Sequence, residues 1–165
     1  MAPNFPIIPL DESFELREIR VSDAHEYYKY INDDKVKMFV PTNCLPHNEA
    51  KAVSDLIFLI NLFKQKRGIY WAIANKSNDK LVGTCGYETW YRSHARLELV
   101  YDLAPEFWGQ NLMNKALKKI INFAFQTMPV NRIEAITTPD NHKSIKVLKR
   151  LNFSQDGLLR QYRYF

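Results

Sequence analysis

The chain has 165 residues, 46% of them hydrophobic and 25% charged, which supplies one sizeable core and excludes a disordered chain. The net charge of +5 comes from scattered lysines and arginines. That balance suits an anionic ligand or peptide and, without a clustered basic patch, argues against nucleic acid. The two cysteines and four histidines show no ligand spacing, so the expectation is reduced thiols, no metal and a cytoplasmic protein.

The start carries Pro3, Pro6 and Pro9 without a basic n-region, so it reads as an extended lead-in rather than a secretory signal. Residues 14–20 alternate apolar and polar side chains and predict a strand. Ser22 or Asp23 can cap a helix running to Asn32. After the loop between Pro41 and Pro46, residues 48–66 predict a second helix, with Val53, Leu56, Ile57, Ile60 and Phe63 on one face. Leu59 and Leu62 widen that face. Deep burial is one reading of it, and a groove wall or dimer contact is the other.

Gly68 ends this helix, and a strand follows over residues 70–74. Residues 80–92 predict a long strand containing Gly83 and Gly86. Residues 96–103 alternate cleanly, with Leu97, Leu99, Tyr101 and Leu103 on one face and Glu98, Val100 and Asp102 on the other. Pro105 precedes a helix to about Gln126, whose apolar positions from Leu112 to Phe125 form an amphipathic stripe. Residues 133–138 are β-rich. Asp140 and Asn141 stop that strand and cap a helix carrying Ile145, Val147, Leu148 and Leu151. From Phe153 onward the chain again reads as a strand. No repeat or linker appears, so a single domain is expected over residues 1–165. The order predicts a mixed α/β fold with an antiparallel front half and a later crossover helix.

Trp108-Gly109-Gln110-Asn111-Leu112-Met113 joins a strand to a helix, a turn that can aim backbone N–H groups at a phosphate. One glycine before a helix is usually only a turn. The wider stretch, Leu97-Glu98-Leu99-Val100-Tyr101-Asp102-Leu103-Ala104-Pro105-Glu106-Phe107-Trp108-Gly109, resembles the acetyl-coenzyme A signature of the GNAT superfamily of N-acetyltransferases. It is most similar to the ribosomal-protein N-terminal acetyltransferase branch. Asn141-His142-Lys143-Ser144 and Leu151-Asn152-Phe153 resemble the same branch's Asn-x-x-Ser helix and Leu-Gly-Phe ending. The likeness runs from about Phe14 to the end. It departs where the family commonly has glycine: Val100, Asn111 and Asn152 stand there instead. Asn111 can keep the turn, since asparagine tolerates positive φ.

The resemblance implies the GNAT fold: one mixed, mostly antiparallel sheet with a central V-shaped splay and flanking helices. It also implies one further strand beyond Phe165, and a sheet edge left open there would invite a homodimer. The implied activity is transfer of acetyl from acetyl-coenzyme A to a primary amine, most simply a protein N-terminal α-amine. Alternatives are a small amine, such as a polyamine or an aminoglycoside, and a non-catalytic acetyl-coenzyme A-binding module.

Backbone groups of Val100, Tyr101, Asp102 and Leu103 would hold the pantetheine arm. Amides of the turn, with Trp108, Gly109, Gln110, Asn111, Leu112 and Met113, would hold the diphosphate, and Asn141 the pantetheine. An N–H near Val100 would face the oxyanion. Glu98 would act as base through a water and Ser144 as acid to the leaving thiolate. Each has an ordinary alternative: a cross-strand charge for Glu98, a solvent-facing serine for Ser144 and a helix cap for Asn141. Tyr87, Trp90, Tyr91 and Arg92 are candidates either for an acceptor groove or for core packing, and Tyr27, Tyr28 and Tyr30 form a second aromatic patch.

Overall fold

The computed structural model describes residues 4–162. Its elements run in the order β1 (Ile8–Pro9), β2 (Phe14–Glu18), α1 (Ala24–Ile31), α2 (Asp34–Lys37), α3 (Glu49–Lys64), β3 (Ile69–Asn75), β4 (Leu81–Tyr91), β5 (Arg96–Leu103), α4 (Leu112–Thr127), β6 (Arg132–Glu134) and α5 (His142–Arg150). The six strands form one sheet in sequential order. Neighbours from β1 through β5 pair antiparallel, and β5 pairs with β6 in parallel.

Local chemistry sets the helix starts. The Asn48 side chain accepts the N–H of Lys51 at the head of α3, and Asn141 accepts that of Ser144 at the head of α5. Asp23 heads α1 without capping it in this way. Its carboxylate instead accepts two bonds from the Arg17 guanidinium, at 2.8 and 2.9 Å, and the N–H of Arg20 at 2.8 Å. Both side chains of this pair are buried, at 2% and 7% exposure, so β2 and α1 are joined by a desolvated two-pronged ion pair.

Strand alternation splits the apolar residues into two cores, one on each face of the sheet. Trp71, Ile73, Tyr87, Leu97 and Leu99 pack with α4 and with Leu148 of α5. Tyr70 and Ala72 pack with Tyr27, Tyr30 and Ile31 of α1 and with Ala52, Leu56 and Leu62 of α3.

Three expectations change. Helix α3 buries only Ala52, Leu56 and Leu62, while Ile57 and Phe58 are exposed. A helix laid on one sheet face covers one stripe, and the additional apolar residues fall outside it. The strand expected over residues 133–138 is three residues long, because β6 leaves β5 after Glu134. No strand forms among residues 153–162, where the chain from Phe153 onward was read as a strand; residues 163–165 lie outside the described residues. Asp156 and Gly157 are disfavoured in strands and Gln161 is left-handed (φ +54°), so the segment does not ladder.

Candidate active site

Strand β5 is paired on both sides only at its start. Arg96, Leu97 and Glu98 stand beside Arg132, Ile133 and Glu134 of β6. Beyond that point residues 99–103 keep β4 on one side, with Leu99 opposite Tyr87 and Leu103 opposite Gly83. Their other edge is left by β6. This is the V-shaped splay, and it exposes a stretch of main chain able to take another extended partner.

The turn at the end of β5 is fixed by its own side chains. Trp108 Nε1 donates to the Leu103 carbonyl at 2.8 Å, and the Lys143 ammonium of α5 lies 3.7 Å from the Trp108 ring centre. Gln110 Nε2 donates to the Glu106 carbonyl at 2.7 Å. Gly109 has φ +79°, and Asn111, the residue heading α4, has φ +61°. The left-handed asparagine is what the sequence required of that position, and Asn152 (φ +63°) does the same in the second place where the family commonly has glycine. The Asn111 side chain does not cap α4. It accepts from Asn114 Nδ2 at 3.0 Å, so the first-turn N–H groups of the helix keep their unsatisfied positive end. Leu112 and Met113 are buried in the core and offer this turn only their main chain. A Cβ at Gly109 would meet nothing within 4 Å, so the turn borders open space. Open main chain along β5, an uncapped helix start and a nearby ammonium fit an extended ligand ending in an anion, as acetyl-coenzyme A does.

The two faces of β5 carry different chemistry. On the α4/α5 face, the Tyr101 phenol lies 2.7 Å from Ser144 Oγ, and Ser144 N–H donates to Asn141 Oδ1 at 3.0 Å. Burial pushes the Tyr101 phenol up to about 12, against the hydrogen bond to Ser144. On the α1/α3 face, Val100 packs into the second core, and Glu98, half-buried, stands opposite Thr89 of β4 and beside Glu134 of β6. A register shift at Glu88 precedes the Thr89–Glu98 pair. The Asp102 carboxylate accepts from Tyr30 OH (2.5 Å), Thr84 N–H (2.9 Å) and Thr84 Oγ1 (2.8 Å). Burial pushes this carboxyl up, and those three bonds hold it down in part. Its side chain is therefore committed to the fold.

The structure thus places Val100, Tyr101, Asp102 and Leu103 on the half of β5 that β6 leaves, joins Tyr101 to Ser144 behind the Asn141 cap, and sets Lys143 against Trp108 of the turn, with Glu98 where β5 still pairs with β6. The other aromatics divide. Tyr87 is wholly buried in the core. Trp90 sits under the Arg92 guanidinium and Tyr91 under that of Arg96, with 3.9 and 4.1 Å to the ring centres. Tyr27 and Tyr30 belong to the second core. The sequence reading missed the side chains of Tyr101 and Lys143. The available signal was a phenol at a core-facing position of β5 and a lysine two residues past the Asn141 cap. Among the described residues no cluster could hold a metal ion, Cys85 is buried and Cys44 exposed, both as thiols, and no helix is long and apolar enough to cross a membrane.

A sheet that splays beyond Glu98, with a left-handed turn leading into a helix at the splay, defines the class of acyl-transfer folds. A family model described as the acetyltransferase (GNAT) domain matches residues 13–154, and the chain belongs to that family of acyltransferases. An uncharacterized N-acetyltransferase, p20, of Bacillus licheniformis is 34% identical over 152 residues, covering 92% of this chain and 84% of that protein. The [ribosomal protein uS5]-alanine N-acetyltransferase of Escherichia coli (strain K12) is 28% identical over 151 residues, covering 89% and 78%. The solved structure of RimL, a ribosomal L7/L12 alpha-N-protein acetyltransferase, in complex with coenzyme A superposes with a TM-score of 0.86. It is 18% identical, covers 96% of this chain and 90% of that one, and shows the shared fold.

Proposed function

We propose that this chain acetylates a protein N-terminal α-amine at the expense of acetyl-coenzyme A. The open edge of β5 between the Gly109–Asn111 turn and the Ser144 end of α5 carries this reading. The coenzyme A complex of the similarly folded RimL and the alanine N-acetyltransferase relative support it. Acetyl-coenzyme A supplies an acyl thioester. Main-chain groups of Val100, Tyr101, Asp102 and Leu103 hold its pantetheine arm in the manner of an added strand, and Asn141 contacts the same arm. The N–H groups of the turn and the Lys143 ammonium hold its diphosphate. Glu98 and Ser144 lie on opposite faces of β5, so base and acid reach the thioester from different sides. Glu98 takes a proton from the incoming ammonium through a water, and Ser144 gives one to the departing sulfur.

The acceptor class follows from how little help Glu98 has to give. An α-amine with a pKa of about 7.7–8.0 is roughly one-fifth neutral near pH 7.3, whereas a lysine at about 10.4 is neutral in only about one molecule in a thousand. One water-linked carboxylate is adequate for the first and weak for the second.

Calorimetry with acetyl-coenzyme A, followed by turnover of peptides beginning with alanine or serine set against spermidine, tests the reading. Micromolar binding with turnover of the peptides is expected. Turnover of spermidine alone would move the acceptor to small amines, and absence of binding would end the reading.

A further inference from the structure

Ser144 has one proton to give, and its neighbour decides where that proton points. The Tyr101 phenol, 2.7 Å from Ser144 Oγ, lies on the open stretch of β5, while Ser144 lies in the first turn of α5, so the contact joins the two borders of the opening. Either oxygen could donate in this pair. Two properties of the phenol select it as the donor to Oγ. A phenol is a better donor and a poorer acceptor than an aliphatic hydroxyl. Burial keeps the phenol protonated through the neutral range, with its pKa pushed up to about 12.

From this geometry we infer that Tyr101 is a positioning residue for Ser144: it donates to Oγ and thereby turns the serine's own proton toward the sulfur of bound coenzyme A. This inference rests on the acetyltransferase reading above. Asn141 completes the arrangement by holding the Ser144 N–H at 3.0 Å, so the serine is fixed from its main chain and from its side chain.

A serine acting alone would be left as an alkoxide, far more basic than the thiolate it protonates, since thiols titrate at about 8.5. With Tyr101 behind it, the balance closes. The amine nitrogen bonds to the acyl carbon, and the carbon–sulfur bond breaks. The Ser144 proton passes to sulfur as Oγ takes up from solvent the equivalent of the proton released by the amine, and the Tyr101 phenol, held protonated by burial, keeps its own proton and its bond to Oγ throughout. The two hydroxyls also polarise one another, strengthening the bond to the developing thiolate.

The test uses coenzyme A itself bound to the full chain, with its thiol titrated through the ultraviolet absorbance of the thiolate. In the wild type the bound thiol should titrate below that of free coenzyme A. Tyr101→Phe, which keeps the ring packing, and Ser144→Ala should each raise that midpoint by about one pH unit, a tenfold loss of thiolate stabilisation. The double variant should go no further than Ser144→Ala. In turnover, Tyr101→Phe should lower kcat about tenfold, with KM for acetyl-coenzyme A within about twofold, because positioning of an acid acts on the chemical step rather than on binding.

A thiol midpoint in Tyr101→Phe equal to the wild type, or effects that add in the double variant, would overturn the role of Tyr101 while leaving the acetyltransferase reading in place. An unchanged midpoint in Ser144→Ala would overturn it as well, and that variant does not depend on the fold tolerating a change in β5. Failure of the wild type to bind coenzyme A would overturn both.

Discussion

The two halves of β5 are built from one alternating sequence and do different work. Its first residues are laddered on both sides, to β4 and β6, and its last five keep β4 alone. The closed half is held by main-chain pairing on both edges, with Leu97 in the core on one face and charged Arg96 and Glu98 on the other. The open half is held by side chains: Asp102 tied to Thr84 and Tyr30, and Trp108 tied back to the Leu103 carbonyl. A strand can therefore remain extended with one edge unladdered if its side chains anchor it. That edge is then available to a ligand, so that under the proposed function one sheet serves both stability and binding.

This contrast can be broken first on the closed side. At Gly86, which pairs with Tyr70 on one side and Val100 on the other, a Cβ would stand 2.3 Å from the Ile69 carbonyl and 2.6 Å from the Tyr70 Cα. Neither atom can move without shifting β3. Gly86→Val should cost about 3 kcal/mol or more and deplete soluble folded protein, read by circular dichroism and yield. Next is Arg17→Met, which leaves the Asp23 carboxylate buried without its two-pronged partner. A loss of about 3 kcal/mol in urea unfolding is expected.

On the open side the effects become smaller and more specific. The Asp102 carboxyl is raised by burial, so the folded chain holds its proton more tightly than the unfolded one does. Its contribution to stability is greatest below the unfolded value of about 3.9 and declines as pH rises through the raised folded value. Asp102→Asn should remove that decline. In urea unfolding at a series of pH values, the wild type should lose ground relative to the variant as pH rises from about 4. The smallest effect belongs to Gly109→Ala. Its Cβ would meet nothing, so only the left-handed φ is penalised, by about 1 kcal/mol, with the sheet unchanged by circular dichroism. If Gly109→Ala were as damaging as Gly86→Val, the division into a structural half and a binding half would be wrong.

Much of this was legible in the residues. The bounds of β5 match the alternation of residues 96–103, α4 and α5 follow their amphipathic stripes, and Asn141 caps the helix it was expected to cap. Asn111 was readable as a left-handed residue because asparagine is among the few side chains that tolerate that conformation. The candidate site was legible as a set of positions, through Trp108-Gly109 and Asn141-His142-Lys143-Ser144, but without the contacts that give those positions their chemistry.

What the sequence determined by itself was whatever depends on a residue and its near neighbours: strand and helix periods, caps and the handedness of a turn. The tertiary structure decided what depends on distant partners. It shortened β6 to three residues and spent the apolar surface of α3 on one stripe. It also set the Tyr101 phenol against Ser144, 43 positions away. Periodicity tells each strand which faces it has, but a ladder, a buried stripe or a hydrogen bond between two hydroxyls exists only where a second segment arrives to meet it.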